Sequence, residues 1–182
     1  IPKKLLNKTL EDYKPQNVSQ QDAKYKAVRF IEIFNPDDPR NLLFTGAYGI
    51  GKSHLAKVIA DGVTSKGHSA VFISVPKLLR RIRSTYDQQS DITEDDVIGM
   101  LEKVDLLILD DMGAERKSEW AYEKIFDLID TRQGMHTIYT TNLEPEALFE
   151  VLGERNFSRV VNEDTVIVEM KGDNHRLADF NS

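Results

Sequence analysis

Asn41-Leu42-Leu43-Phe44-Thr45 runs directly into Gly46-Ala47-Tyr48-Gly49-Ile50-Gly51-Lys52-Ser53, and the reading of this stretch decides the fold. The first five residues are a short apolar strand. The next eight satisfy the pattern G-x-x-x-x-G-K-[ST], and Leu55, Ile59 and Val63 continue at helical spacing through Lys52–Ser65. Strand, glycine-rich turn and helix are the context in which this pattern binds phosphate. The glycines let the backbone curl until successive N–H groups face an anion. A helix opening at Lys52 adds its positive dipole end. Lys52 offers a full charge to β- and γ-phosphates, and the Ser53 hydroxyl is a ligand for Mg²⁺. The candidate nucleotide-binding set is therefore the whole loop: Gly46, Ala47, Tyr48, Gly49, Ile50, Gly51, Lys52 and Ser53, closed by His54. The His54 ring itself reads as a surface helix residue.

Working outward, the same rhythm repeats. Ala70–Val75 is a second strand, Pro76–Asp87 and Thr93–Lys103 are helices, and Thr93 with Asp96 forms a capping-box pattern. Leu106–Leu109 is a continuous apolar strand of the kind buried on both faces. Ser118–Arg132 is helical, with Trp120, Ile125, Leu128 and Ile129 as candidate core. Thr137–Thr140 is a fourth strand, and helices at about 146–152 and 154–161 precede a fifth at Thr165–Met170. Before the loop, Ser19 is the expected cap of a helix reaching Phe34, with Ala23, Ala27, Phe30, Ile31 and Phe34 on one buried face. Residues 1–18 are a polar lead-in that wraps the domain formed by residues 19–182. Strands alternating with helices imply right-handed crossovers, hence an α/β three-layer fold with a mostly parallel five-stranded sheet.

Two further stretches end at the edge of that sheet where ligands bind. Asp105-Leu106-Leu107-Ile108-Leu109-Asp110-Asp111 places paired carboxylates after a buried strand. Asp110 is positioned to hold Mg²⁺, and Asp111 to polarise a water attacking the γ-phosphate. Taken alone, Asp-Asp-Met-Gly is also ordinary turn chemistry; the phosphate loop is what favours the functional reading. Asn142, closing Thr140-Thr141-Asn142, can hydrogen-bond both γ-phosphate and water, or can simply terminate a strand. Lys77, Arg80, Arg81 and Arg83 form a basic cluster followed by Tyr86. Such a helix can track a phosphate backbone, with Tyr86 stacking a base, or can be a solvated face.

Composition bounds the rest. The 182 residues suit one compact domain, and a net charge of −6 argues against a histone-like coat on nucleic acid. There are no cysteines, so disulfide, thiolate-zinc and thiol chemistry are excluded. His54, His68, His136 and His175 are scattered without metal spacing. No apolar run nears the roughly 20 residues that cross a bilayer, and the expected location is cytoplasmic. The chain begins at Ile1 rather than Met, so an upstream module is expected to be absent from it.

GAYGIGKSHLA at 46–56, DLLILDDMGAE at 105–115, TTNL at 140–143 and GERNFSRV at 153–160, in this order, resemble the AAA+ ATPase domain of bacterial and phage replicative helicase loaders, the DnaC/DnaI family, with the transposition helper IstB as a near relative. The resemblance spans about residues 7–176. It implies a P-loop ATPase using ATP and Mg²⁺ that self-assembles, binds single-stranded DNA and loads a hexameric replicative helicase. It also implies that Lys52, Asp111 and Asn142 act in hydrolysis, with Asn142 as first sensor. Arg159 would be an arginine finger reaching a neighbouring subunit, and Arg176 a second sensor. Arg155, one helical turn from Arg159, is the reserve finger. A dozen residues after the last strand leave no room for a C-terminal helical lid, a feature this compact family also lacks. Two alternatives stay open: a transposition helper partnered with a transposase, and a nucleotide-gated DNA-binding scaffold with incidental hydrolysis.

Overall fold

The computed structural model describes residues 1–114 and 118–172. Five strands, β1 (Asn41–Thr45), β2 (Ala70–Ser74), β3 (Leu106–Asp110), β4 (His136–Thr141) and β5 (Thr165–Glu169), form one sheet in the order β2-β3-β4-β1-β5. Every neighbouring pair is parallel, because each connection carries a helix across the sheet. The helices are α1 (Val18–Ile33), α2 (Lys52–Ser65), α3 (Val75–Ser84), α4 (Glu94–Lys103), α5 (Glu119–Thr131), α6 (Pro145–Leu152) and α7 (Glu154–Val160). The expected three-layer α/β architecture is present, and no helix follows β5 among the described residues. Nor is any described helix long and apolar enough to cross a membrane.

Alternation along β3 shows how the layers are made. Leu106 and Ile108 face a core with Ala23 and Ala27 of α1 and Leu55 and Ile59 of α2. Leu107 and Leu109 face the opposite core, with Leu78 and Ile82 of α3, Leu101 of α4 and Ile125 of α5. β3 is buried on both faces and is apolar at every position until Asp110.

Strand order is what assembles the functional edge. β4 lies between β1 and β3, with Thr140 opposite Phe44 on one side and Leu109 opposite Tyr139 on the other. The C-terminal ends of β1, β4 and β3 therefore stand side by side, and Gly46, Asp110 and Thr140 share one rim.

Three local expectations need correction. The cap of α1 is Asn17, whose side chain accepts from the Gln20 N–H at 3.0 Å. Ser19 instead donates to Asn17 Oδ1 and accepts from the Lys171 N–H, tying the start of α1 to the segment after β5. Helix α3 stops at Ser84, short of Asp87, because the Ser84 and Thr85 hydroxyls cap the carbonyls of Arg81 and Ile82. Trp120 is only partly buried; Ala121, Ile125, Leu128 and Ile129 hold the core face of α5. The capping box of Thr93 and Asp96 forms as read.

A buried guanidinium locks the sheet to α4. Arg132, just past α5, is 2% exposed. It donates to the carbonyls of Val104 and His136, to Leu101 O at 3.4 Å and to Thr137 Oγ1 at 3.4 Å. Burial pulls its pKa down to about 10, so it remains charged at neutral pH. One planar group thus serves the orphan carbonyls at the end of α4 and the start of β4. Arg132→Met is expected to lower unfolding free energy by roughly 2–4 kcal/mol in urea titrations, by stranding those carbonyls. Arg132→Lys should recover less than half of the loss, since an ammonium cannot span them all.

Candidate functional site

The turn from β1 into α2 requires glycine at two places for different reasons. At Gly46 (φ +145°) a β-carbon would fall 2.3 Å from the Met170 carbonyl oxygen, because β5 passes close by. Gly51 caps α2 in the left-handed region at φ +101°. The loop closes on its own lysine. Lys52 is 5% exposed, and its ammonium donates to the carbonyls of Gly46 at 2.7 Å and Ala47 at 2.6 Å. Tyr48 points outward and is exposed, whereas Ile50 is fully buried beneath the loop. A concave backbone with a cation inside it and the first-turn N–H groups of α2 beside it is a receptor for a polyphosphate.

Asp110 meets this loop across the rim. The Ser53 hydroxyl donates to Asp110 Oδ1 at 2.7 Å, and Thr140 Oγ1 donates to the same oxygen at 2.6 Å. Asp110 is 2% exposed and forms no ion pair among the described residues; its Oδ2 accepts no hydrogen bond from them. A hydroxyl oxygen beside a buried carboxylate with one uncommitted oxygen suits a small hard cation. Among the described residues no three acids or imidazoles gather, so such an ion would draw its remaining ligands from phosphate and water.

Asp111 follows with φ 58°, the one non-glycine residue in the left-handed region among those described, and its N–H donates to Thr140 Oγ1 at 3.0 Å. Strain of this kind persists where surrounding bonds hold it. Thr140 is thus the pivot between the two acids: it donates to one and accepts from the next. Sequence reading passed over it in favour of Asn142; a hydroxyl at the end of a wholly buried strand was the available signal. Asn142 lies just past β4, half-buried, its side chain without a hydrogen bond among the described residues.

The remaining candidates are more scattered. The His54 ring turns away from the loop, with Nε2 2.7 Å from the Thr9 carbonyl and its face edge-on to Tyr13. Only the His54 backbone is left for an anion. Arg159 is half-buried and paired through Nε with Asp130 Oδ1 at 3.2 Å, while Arg155 is exposed; neither is bonded to Lys52, Ser53 or Asp110. Arg176 lies outside the described residues. In the basic cluster, Arg80 and Arg81 are exposed, and Arg83 sits 4.6 Å above the Trp120 ring. Tyr86 is not on the helix. It donates to Glu94 Oε1 at 2.9 Å, accepts from Trp120 Nε1 at 3.3 Å and lies edge-on to that ring. Lys124 Nζ, 2.9 Å from the same carboxylate oxygen, completes the group; these bonds and charge outweigh burial and hold the Glu94 pKa low. Trp120 is partly buried, packed against the edge of the core and shared with this surface group. Core positions 121, 125, 128 and 129 put residue 120 about 125° from the centre of their face, a signal in the sequence.

The family model for IstB-like ATP binding proteins matches residues 3–181. The replicative helicase loader DnaC of Buchnera aphidicola subsp. Schizaphis graminum is 28% identical over 173 residues, covering 94% of this chain and 70% of that protein. DnaC of Escherichia coli (strain K12) is 28% identical over 172 residues, covering 93% and 69%. A crystal structure of the DnaC helicase loader superposes with a TM-score of 0.83 at 30% identity, over 93% of this chain and 99% of that one. A DnaI structure shares the fold, with a TM-score of 0.78 at 23% identity over 97% and 94%.

Burial lowers the His54 pKa below the ordinary 6.5, opposed by its bond to the Thr9 backbone. The unfolded imidazole therefore takes its proton at higher pH than the folded one. Stability from this group is complete above 6.5 and is lost as pH falls through the lower folded value. Urea midpoints at about pH 7.5 and about pH 5.5 should differ more in the wild type than in His54→Gln.

Proposed function

Since the chain belongs to the family of IstB-like ATP-binding proteins, we propose that it is an ATP- and Mg²⁺-dependent switch that helps place a replicative helicase on DNA. The observation that carries this reading is the 2.7 Å bond from Ser53 to Asp110, which joins a phosphate loop to an acid 57 residues away. The named DnaC relatives favour a helicase over a transposase as partner.

In this reading the Lys52 ammonium exchanges the carbonyls of Gly46 and Ala47 for phosphate oxygens, which bear charge and bind it more strongly. Ser53 and Asp110 hold Mg²⁺, which supplies positive charge to the phosphoryl group in transfer. Asp111, its backbone fixed by Thr140, takes the proton side of the attacking water. Asn142, uncommitted in the free protein, bonds γ-phosphate and water together. Arg159 leaves Asp130 to reach a neighbour's γ-phosphate; that ion pair is mostly solvated on the Asp130 side and costs little to break. Arg176 is the second sensor. ATP then favours assembly of subunits, and hydrolysis releases it. Residues 1–18 are the lead-in to this single ATPase domain. Arg80 and Arg81, exposed on α3, contact single-stranded DNA, with Arg83 beside them, and Tyr86 joins only by leaving Trp120.

Two measurements test this. Lys52→Ala should weaken binding of Mg²⁺-ATP roughly 100-fold, the loss of charge-assisted bonds to phosphate. Arg80→Ala combined with Arg81→Ala should weaken single-stranded DNA binding. The plot of log affinity against log salt should flatten by about 1.4, near 0.7 for each lost phosphate contact. Unchanged salt dependence would make α3 a solvated face only.

A further inference from the structure

Tyr13 belongs to the lead-in, 37 residues ahead of the carbonyl it reaches. Its side chain is 1% exposed, and its hydroxyl donates to Ile50 O at 3.1 Å. Its ring lies against the α-carbon of Gly51, so closely that a β-carbon there would fall 2.1 Å from Tyr13 Cε2. Ile50 and Gly51 are the two residues through which the loop becomes α2.

We propose that Tyr13 is a positioning residue for nucleotide binding, holding the phosphate loop from outside in the shape that receives an anion. This rests on the nucleotide reading of the same site. The Ile50–Gly51 peptide is trans, and in a trans peptide the carbonyl and the N–H point in opposite directions. Fixing the Ile50 carbonyl on the Tyr13 hydroxyl therefore turns the Gly51 N–H away from the lead-in. That N–H adjoins the N–H groups of the first turn of α2, and together they form the donor set at the helix start. Gly51 restrains its own backbone poorly, since glycine enters the left-handed region without a side chain to hold it there. The Tyr13 ring and hydroxyl supply that restraint.

The strap carrying Tyr13 is pinned independently of its hydroxyl. Lys57, buried on α2, donates to Lys8 O at 2.9 Å and pairs with Asp61. His54 bonds the Thr9 carbonyl, and Lys24 of α1 donates to Tyr13 O at 3.3 Å. Removing one oxygen from Tyr13 thus leaves the strap in place and releases the Ile50 carbonyl. Burial raises the phenol pKa above its ordinary value, so the hydroxyl stays a donor throughout the neutral range.

The test compares wild type, Tyr13→Phe and Tyr13→Ala by titration with a ribose-labelled fluorescent ATP analogue and Mg²⁺, together with steady-state hydrolysis. Tyr13→Phe should raise Kd and KM roughly three- to tenfold, the loss of one oriented hydrogen bond. Its kcat should stay within about twofold, because binding is lost equally from ground and transition states. Tyr13→Ala, if it folds, should bind more weakly still, and Tyr13→Phe then stands as its partial rescue. A Tyr13→Phe protein with wild-type Kd overturns the inference while leaving the nucleotide site intact, even if its unfolding midpoint drops. A wild-type protein that fails to bind the analogue overturns the nucleotide reading itself, and the inference with it.

Discussion

Asp110 ends the apolar strand β3 as a carboxylate 2% exposed, held by two hydroxyls on one oxygen and by no cationic side chain among the described residues. Burying a charge on those terms is unfavourable, since neutral donors offset only part of the lost hydration. A fold optimised for stability alone would end β3 on another apolar residue. The arrangement is intelligible as a site waiting for positive charge, and the surrounding geometry follows from it. Ser53 must start α2 close enough to reach Asp110. Thr140 must end β4 between them. The loop must turn tightly enough for Lys52 to fold back on Gly46 and Ala47.

Strand order makes this convergence possible. Were β1 beside β3, no strand end would stand between phosphate loop and acid. With β4 inserted, its penultimate Thr140 bridges to Asp110 and steadies the left-handed Asp111, and Asn142 emerges just beyond. The same insertion sends the β1–α2–β2 crossover over two strands, so α2 lies across the sheet and both α1 and the lead-in pack against it. The lead-in consequently packs against the helix that follows the loop, clasped by His54, Lys57 and Lys24.

Much of this was legible beforehand. The phosphate loop announces itself because its chemistry demands glycine, lysine and a hydroxyl at fixed spacing within a strand–helix context, and β3 does so as an unbroken apolar run that ends on Asp110. What escaped was three-dimensional. Strand order leaves no mark on local periodicity, so Thr140 could not be seen to face Asp110. Tyr13 lies in a polar segment whose only buried members are Leu5 and Tyr13 itself, too few to form a pattern. Asn17 and Ser19 are both good caps, and only the contact with Lys171 assigns Ser19 elsewhere. Trp120 was readable from helical phase. Arg159 stands out by its motif alone, and its pairing with Asp130 joins elements that the chain keeps 29 residues apart.

The most direct measurement is a crystal structure grown with a non-hydrolysable ATP analogue and Mn²⁺, the cation located by its anomalous signal. The account predicts the cation bonded to Asp110 and Ser53, with the Lys52 ammonium moved from the carbonyls of Gly46 and Ala47 onto phosphate. A structure in which the Ser53–Asp110 hydrogen bond persists, Lys52 keeps both carbonyls and the analogue lies elsewhere would contradict it.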